Sequence, residues 1–125
     1  MNCQNEFSYL CALRGATTCE NNSVESITSA VEELLVELVS RYNLIPDQII
    51  SVTFSVTSDL DACFPASIAR KKIGWGKIAL LDCQQMFVKD DLSKCIRLLA
   101  YVSLPKEQIP QNPYLRKAKN LRPDR

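Results

Sequence analysis

Lys94-Cys95-Ile96-Arg97-Leu98-Leu99-Ala100-Tyr101-Val102 is the most apolar run in the chain, and one arginine sits inside it. A short run of Ile, Leu, Ala, Tyr and Val predicts a buried strand. A guanidinium does not shed its proton, so an arginine buried in such a strand needs an anion beside it. The sequence leaves the source open. It is an aspartate or glutamate of the chain itself, or a ligand, unless Arg97 lies near enough to the strand end to reach water.

Just upstream, Lys89-Asp90-Asp91 predicts a turn. Residues 77–81 predict a short strand that Asp82-Cys83-Gln84-Gln85-Met86 continues or bends away from. Residues 64–74 predict a short helix, with Pro65 at the first helical position, Arg70 on the last turn and Gly74 at the stop. Ile50-Ser51-Val52-Thr53-Phe54-Ser55-Val56 alternates strictly, the pattern of a strand with one apolar and one hydroxyl face. The hydroxyl face meets solvent or another subunit.

The clearest helix spans residues 23–42. Its stripe of Ile27, Ala30, Val31, Leu34, Leu35, Leu38, Val39 and Tyr42 has helical spacing, and Asn43 suits its stop. Asn22 with Glu25 fits a capping box at its start. Residues 9–14 predict a first strand that Arg14 ends before Gly15, with residues 16–19 as a loop. The order β-α-β-α-β-β indicates an α+β fold, a long helix covering one face of a small mixed sheet.

The chain has 125 residues, 46% of them hydrophobic and 23% charged, with a net charge of +1. That fits one domain over residues 1–125, with 1–8 as a loose N-terminal extension and 104–125 as a proline-rich, basic C-terminal segment. So small a net charge gives no field for nucleic acid or a membrane surface. No apolar run approaches the ~20 residues of a membrane span. Met1-Asn2-Cys3-Gln4-Asn5-Glu6 lacks the pattern of a signal peptide, and a cytoplasmic location is expected. The basic tail has only Tyr114 interleaved, which favours a solvated end over a phosphate-binding surface.

Six cysteines contain no C-x-x-C pair and are read as free, structural thiols. Histidine is absent, which excludes His-based triads, His-containing zinc sites and the usual proton shuttle near neutral pH. The pairs Asp59/Asp61 and Asp90/Asp91 belong to turns, so no metal site is expected. Arg14, Arg70, Arg97 and Arg122 each stand beside an apolar stretch. Guanidiniums converging in a pocket make a site for carboxylates, because each presents a planar fork of donors.

Four motifs carry a resemblance. Leu13-Arg14-Gly15-Ala16-Thr17-Thr18, Phe64-Pro65-Ala66, Cys95-Ile96-Arg97 and Leu121-Arg122-Pro123-Asp124 occur in order, with the long helix between the first two. Over roughly residues 9 to 124 the chain resembles the monofunctional chorismate mutases of the trimeric, AroH-like class. The resemblance implies a ferredoxin-like to pseudo α/β-barrel fold and a homotrimer with an active site at each subunit interface. It implies a cofactor-free rearrangement of chorismate to prephenate, feeding phenylalanine and tyrosine synthesis.

It also implies roles for residues. Arg97 donates to the breaking ether oxygen. Arg14 binds a carboxylate near that oxygen, and Tyr114 hydrogen-bonds a carboxylate. Phe64 packs on the ring. Arg70 and Arg122 supply positive potential at the mouth, and Ala66, Leu81, Asp82, Cys83, Gln84 and Leu121 bind or line the pocket. The chain departs from the pattern at Gln85, where the family has a glutamate that accepts from the substrate hydroxyl and balances the cationic site. Leu81-Asp82 replaces a Thr-Cys pair, and Ser67 replaces a helix lysine. The Gln85 carbonyl still accepts a hydrogen bond, and Asp82 is the candidate to return the lost charge. Two rival readings are an enzyme like the reactive-intermediate deaminases and a non-catalytic, carboxylate-binding trimer.

Overall fold

The apolar run around Arg97 forms the strand on which the sheet is assembled. In the computed structural model, which describes residues 9–121, it lies between two antiparallel neighbours. The strands are β1 (Tyr9–Thr18), β2 (Ile49–Val56), β3 (Ala79–Gln84) and β4 (Cys95–Leu104), in the spatial order β1-β4-β2-β3. β3 runs parallel to β2. The last strand of the chain is thus inserted between the first two, which the helix α1 (Val24–Tyr42) connects. A short helix, α2 (Pro65–Ala69), links β2 to β3. The sheet is mixed, as expected. The expected N-terminal extension, residues 1–8, and Arg122 lie outside the described residues.

The sheet's two faces differ. On one, Leu13, Val52, Phe54, Ile96, Leu98, Ala100, Val102 and Leu104 are buried in a common core with Ile27, Val31, Leu34, Leu35 and Leu38 of α1. Each such side chain contributes about 1.5–3 kcal/mol of transfer free energy. The alternate positions, Arg97, Leu99 and Tyr101 on β4 and Ser51, Thr53 and Ser55 on β2, take the opposite face, which no described helix covers. Arg97 therefore leaves the apolar core entirely. Its side chain is 27% exposed, partly buried on the opposite face rather than packed among its apolar neighbours.

Several element boundaries differ from those expected. β1 does not end at Arg14, because Arg14 pairs with Leu99, Ala16 with Arg97 and Thr18 with Cys95. Gly15 is inside the strand, where a β-carbon would sit 3.1 Å from the Pro113 carbonyl oxygen and 3.2 Å from Leu34 Cδ1. The cap of α1 is Ser23, whose hydroxyl accepts from the Ser26 amide at 3.1 Å. Asn22 is engaged elsewhere, its carbonyl oxygen accepting from the amides of Asp61 and Ala62 at 3.0 Å. Asn43 ends α1 in the left-handed region, at φ 51. β3 starts later than expected, because Trp75–Lys77 forms a 3-10 turn that buries the indole. Near the end of the described residues a 3-10 turn spans Arg116–Asn120. Among the described residues no helix is long and apolar enough to cross a membrane.

α2 stops at Ala69, short of Gly74, which instead takes φ 84 in the turn before Trp75. A β-carbon there would lie 2.7 Å from Pro46 Cγ. Gly74→Ala combines that overlap with an unfavourable φ, and we expect it to lower unfolding stability by about 1–3 kcal/mol. A urea titration measures this; an unchanged midpoint would show that the turn relaxes freely.

Candidate active site

Arg14, Gly15, Arg97, Leu98, Tyr114 and Leu121 line a cleft of about 270 Å³. Arg14 faces Leu99 across the β1–β4 ladder, and Arg97 lies two residues before Leu99 on the same face. Diagonal neighbours of this kind have backbones roughly 7–8 Å apart. Two cations are thus held close by strand geometry. Among the described residues Arg14's guanidinium has neither a hydrogen-bond nor an ion-pair partner.

Tyr114 reaches this cleft on an arm that seals the outer edge of β1. The Ala16 amide donates to the Pro113 carbonyl at 2.9 Å, and the Leu115 amide to the Ala16 carbonyl at 2.8 Å. Asn112, buried, accepts from the Arg14 amide through its side-chain oxygen at 2.9 Å. From α1, Arg41 donates to the carbonyls of Gln111 and Asn112 at 3.3 and 3.1 Å while Glu37 holds it at 3.1 Å. Tyr42 accepts the Gln111 amide through its hydroxyl. Sequence reasoning missed Asn112 and Arg41. The Glu37/Arg41 spacing was visible, but its target, 70 residues away, was not.

The carboxylate beside Arg97 is Asp91. Arg97 Nη2 lies 3.2 Å from Asp91 Oδ1 and 3.3 Å from Oδ2, and Asp91 is itself only 24% exposed. Of the anion sources the sequence left open, an internal aspartate occupies the position. Asp91 belongs to the expected turn, its amide donating to the Val88 carbonyl at 3.1 Å.

Asp82, expected to return negative charge near Arg97, is directed elsewhere. Its Oδ1 accepts the Ala66 amide at 3.0 Å, at the start of α2. Burial pushes its carboxyl above the usual range, opposed by that hydrogen bond and by the nearby charge of Arg70. Gln85, just past β3, donates its amide to the Val56 carbonyl at 2.6 Å. Its side-chain carbonyl, expected to serve the substrate, already accepts from Ser55 Oγ at 2.6 Å. Ser55 is Arg97's partner on β2.

The remaining expected residues gather elsewhere. Phe64, Asp82, Cys83 and Gln84 line a second, larger cleft of about 660 Å³. Phe64 stands 69% exposed there. Arg70 is exposed at the end of α2, and Leu81 stands on the open sheet face opposite Thr53. Ala66 is buried in the core. Within one subunit the expected residues are thus spread over the Arg97 cleft, the Phe64 cleft and, for Gln85, a hollow between residues 57 and 93 that also holds Asp91. Arg122 lies outside the described residues.

Burial pushes the Cys19 thiol up to about 11 and raises those of Cys63 and Cys95 as well, so these sulfurs stay protonated at neutral pH. The Arg14–Arg97 cleft offers fixed hydrogen-bond donors and positive charge. It suits a carboxylate ligand whose reaction develops negative charge on oxygen.

Asp82's raised folded-state pKa has a signed consequence. Between its unfolded value near 3.8 and its higher folded value, the folded state binds more protons, so stability from this group falls as pH rises. Asp82→Asn keeps an oxygen for the Ala66 amide and removes the titration. Denaturation midpoints measured from pH 3.5 upward should therefore favour Asp82→Asn increasingly over the wild type as pH rises through that window. A pH-independent difference would rule this out.

Residues 10–125 match the family model for chorismate mutase type I. The chain is 36% identical over 114 residues to chorismate mutase AroH of Bacillus subtilis (strain 168), covering 90% of this chain and 89% of that protein. It is 36% identical over 115 residues to chorismate mutase AroH of Thermus thermophilus, covering 90% and 93%. A solved chorismate mutase from Clostridium thermocellum superposes with a TM-score of 0.80 at 38% identity, covering 87% of this chain and 97% of that one.

Proposed function

This chain belongs to the chorismate mutase type I family and has that family's activity, and we propose that chorismate rearranges to prephenate in the cleft of Arg14, Arg97 and Tyr114. The observation that carries the assignment is the placing of two arginines on adjacent strands of one open face, in one cleft with a tyrosine.

The reaction breaks the ether C–O bond and forms a C–C bond in one concerted step. It moves no proton and needs no nucleophile, which suits a chain without histidine and with its buried thiols held protonated. Two contributions remain for the protein. The first is holding a flexible substrate in its reactive conformer, which sets the reacting carbons within bonding reach. In this reading Arg14 and Tyr114 grip carboxylates of the dianion. The second is stabilising the charge that grows on the ether oxygen as the bond lengthens. Arg97 meets that oxygen. Asp91 engages only its Nη2, and the Cys95 thiol is the other group among the described residues that the guanidinium touches.

The proposal includes a homotrimer with sites at its interfaces. Two features support it. The open face of the sheet carries Leu10, Leu81 and Tyr101 at 70%, 58% and 42% exposure, apolar surface suited to a subunit contact. Arg14, Arg97, Tyr114 and Leu121 line one cleft and Phe64, Asp82, Cys83 and Gln84 another, as two halves contributed by neighbouring subunits would. Phe64, Cys83 and Gln84 of one subunit then close over Arg14 and Arg97 of the next, with Arg70 at the rim. No cofactor enters the reaction, and the enzyme acts in the cytoplasm in this reading.

Loss of chorismate absorbance with purified protein, with prephenate identified as product, tests the reading. Arg97→Ala should lower kcat by roughly 10²–10³-fold, the loss of about 3–4 kcal/mol expected when a preorganised donor is removed. Binding of a dicarboxylate without turnover by a folded wild type would favour the non-catalytic trimer instead. Light scattering on the same sample measures the assembly.

A further inference from the structure

We propose that Asp91 is the positioning residue for Arg97, fixing where that guanidinium stands before substrate arrives. The inference rests on the assignment of Arg97 to the ether oxygen, and it adds a residue from a loop in which the sequence showed only turn chemistry.

A flexible arginine on an open sheet face has many rotamers, and holding one costs side-chain entropy. Asp91 is the carboxylate that meets Arg97 among the described residues. Both its oxygens fall on the same nitrogen, Nη2, at 3.2 and 3.3 Å. A side-on grip of this kind tethers one corner of the fork and leaves Nε and Nη1 outside the ion pair. A bidentate fork would have consumed two nitrogens.

Asp91 is itself fixed. Its Oδ1 accepts the Leu92 amide at 2.8 Å, and its own amide donates to Val88 at 3.1 Å. The loop that bears it is pinned at both ends. Gln85 is bonded to Val56 and Ser55 at one end. At the other, the Lys94 amide donates to Asp59 Oδ2 at 2.9 Å and the Cys95 amide to Thr57 Oγ1 at 3.0 Å. The residues the sequence offered for the counter-charge are spent or neutral: Asp82 is engaged by Ala66, and Gln85 carries no charge.

Asp91→Ala and Asp91→Asn, each alone and in the Arg97→Ala background, test the assignment. Asp91→Ala should lower kcat roughly 10- to 100-fold, the scale on which misplacing a reacting group by about an ångström acts. KM should change by less than about threefold, because Arg14 and Tyr114 hold the carboxylates. Asp91→Asn, which keeps an acceptor oxygen, should lose less. In the Arg97→Ala background, Asp91→Ala should change kcat by less than about twofold, since nothing remains to position.

An equal loss in both backgrounds would overturn the proposal, as would wild-type kcat in Asp91→Ala. Side-chain NMR of the arginine Nε–H groups supplies a readout that does not need turnover. The Arg97 signal should shift and broaden in Asp91→Ala and stay close to its original position in Asp91→Asn. An Arg97 signal unmoved by Asp91→Ala would refute positioning even if the enzyme assignment stands. A wild type with no turnover but the expected NMR response would refute the catalytic assignment and leave the Arg97–Asp91 tether supported.

Discussion

The two-residue alternation of β4 governs both the stability and the chemistry of this molecule. Ile96, Leu98, Ala100, Val102 and Leu104 are buried on one face of the strand. A shift of register by one residue would drive Arg97 into the core and those side chains into water. The penalty for an unpaired buried guanidinium, added to the lost apolar burial, makes that shift prohibitive. The same packing that holds the sheet on α1 therefore fixes which face Arg97 occupies. Because β4 lies between β1 and β2, it also sets Arg97 beside Arg14 on one side and Ser55 on the other.

The edge of β1 poses a second constraint. An unpaired edge next to two arginines would leave strand amides and carbonyls facing solvent, in a region that must hold its geometry. The arm through residues 111–115 satisfies them, pairing with Ala16 and through Asn112 with the Arg14 amide. α1 secures that arm with Arg41 and Tyr42 from its last turn. Tyr114 is thereby delivered to the cleft by interactions that are otherwise purely structural. Gly15 permits the close approach, since the Pro113 carbonyl and Leu34 occupy the space a side chain would need.

Much of this was legible in the sequence where physics acts locally. Periodicity identified α1 and the alternating strand β2, and the apolar run identified β4. The family motifs picked out Arg14, Arg97 and Tyr114, which do share a cleft. Signals that depend on distant partners were misread. Arg14-Gly15 looked like a strand end because a charge followed by glycine resembles a terminus; only the ladder to β4 and the close approach of Pro113 show otherwise. Asn22 and Ser23 are both good caps, and the choice was made by a loop 39 residues away that engages Asn22. Of the two carboxylates, Asp82 was the expected counter-charge and Asp91 was read as a turn residue. Which one meets Arg97 depends on where α2 and the loop after β3 place them.

These features fit a reaction with no chemistry for an acid, base or nucleophile to perform. Such a site depends on placing fixed dipoles and charges against a transition state that differs little from substrate in composition. Its electrostatics must then be settled in advance, because groups that reorganise during the step give back part of the stabilisation. Arg14 and Arg97 on a paired ladder, with Asp91 bound to a single nitrogen of Arg97, form such a preset field. On the proposed assignment the two arginines favour a dianion in the cleft, while Asp91 partly offsets their mutual repulsion in its absence. The neutral Gln85–Ser55 pair beside Arg97 adds no further charge, and among the described residues Asp91 is the carboxylate paired with Arg97.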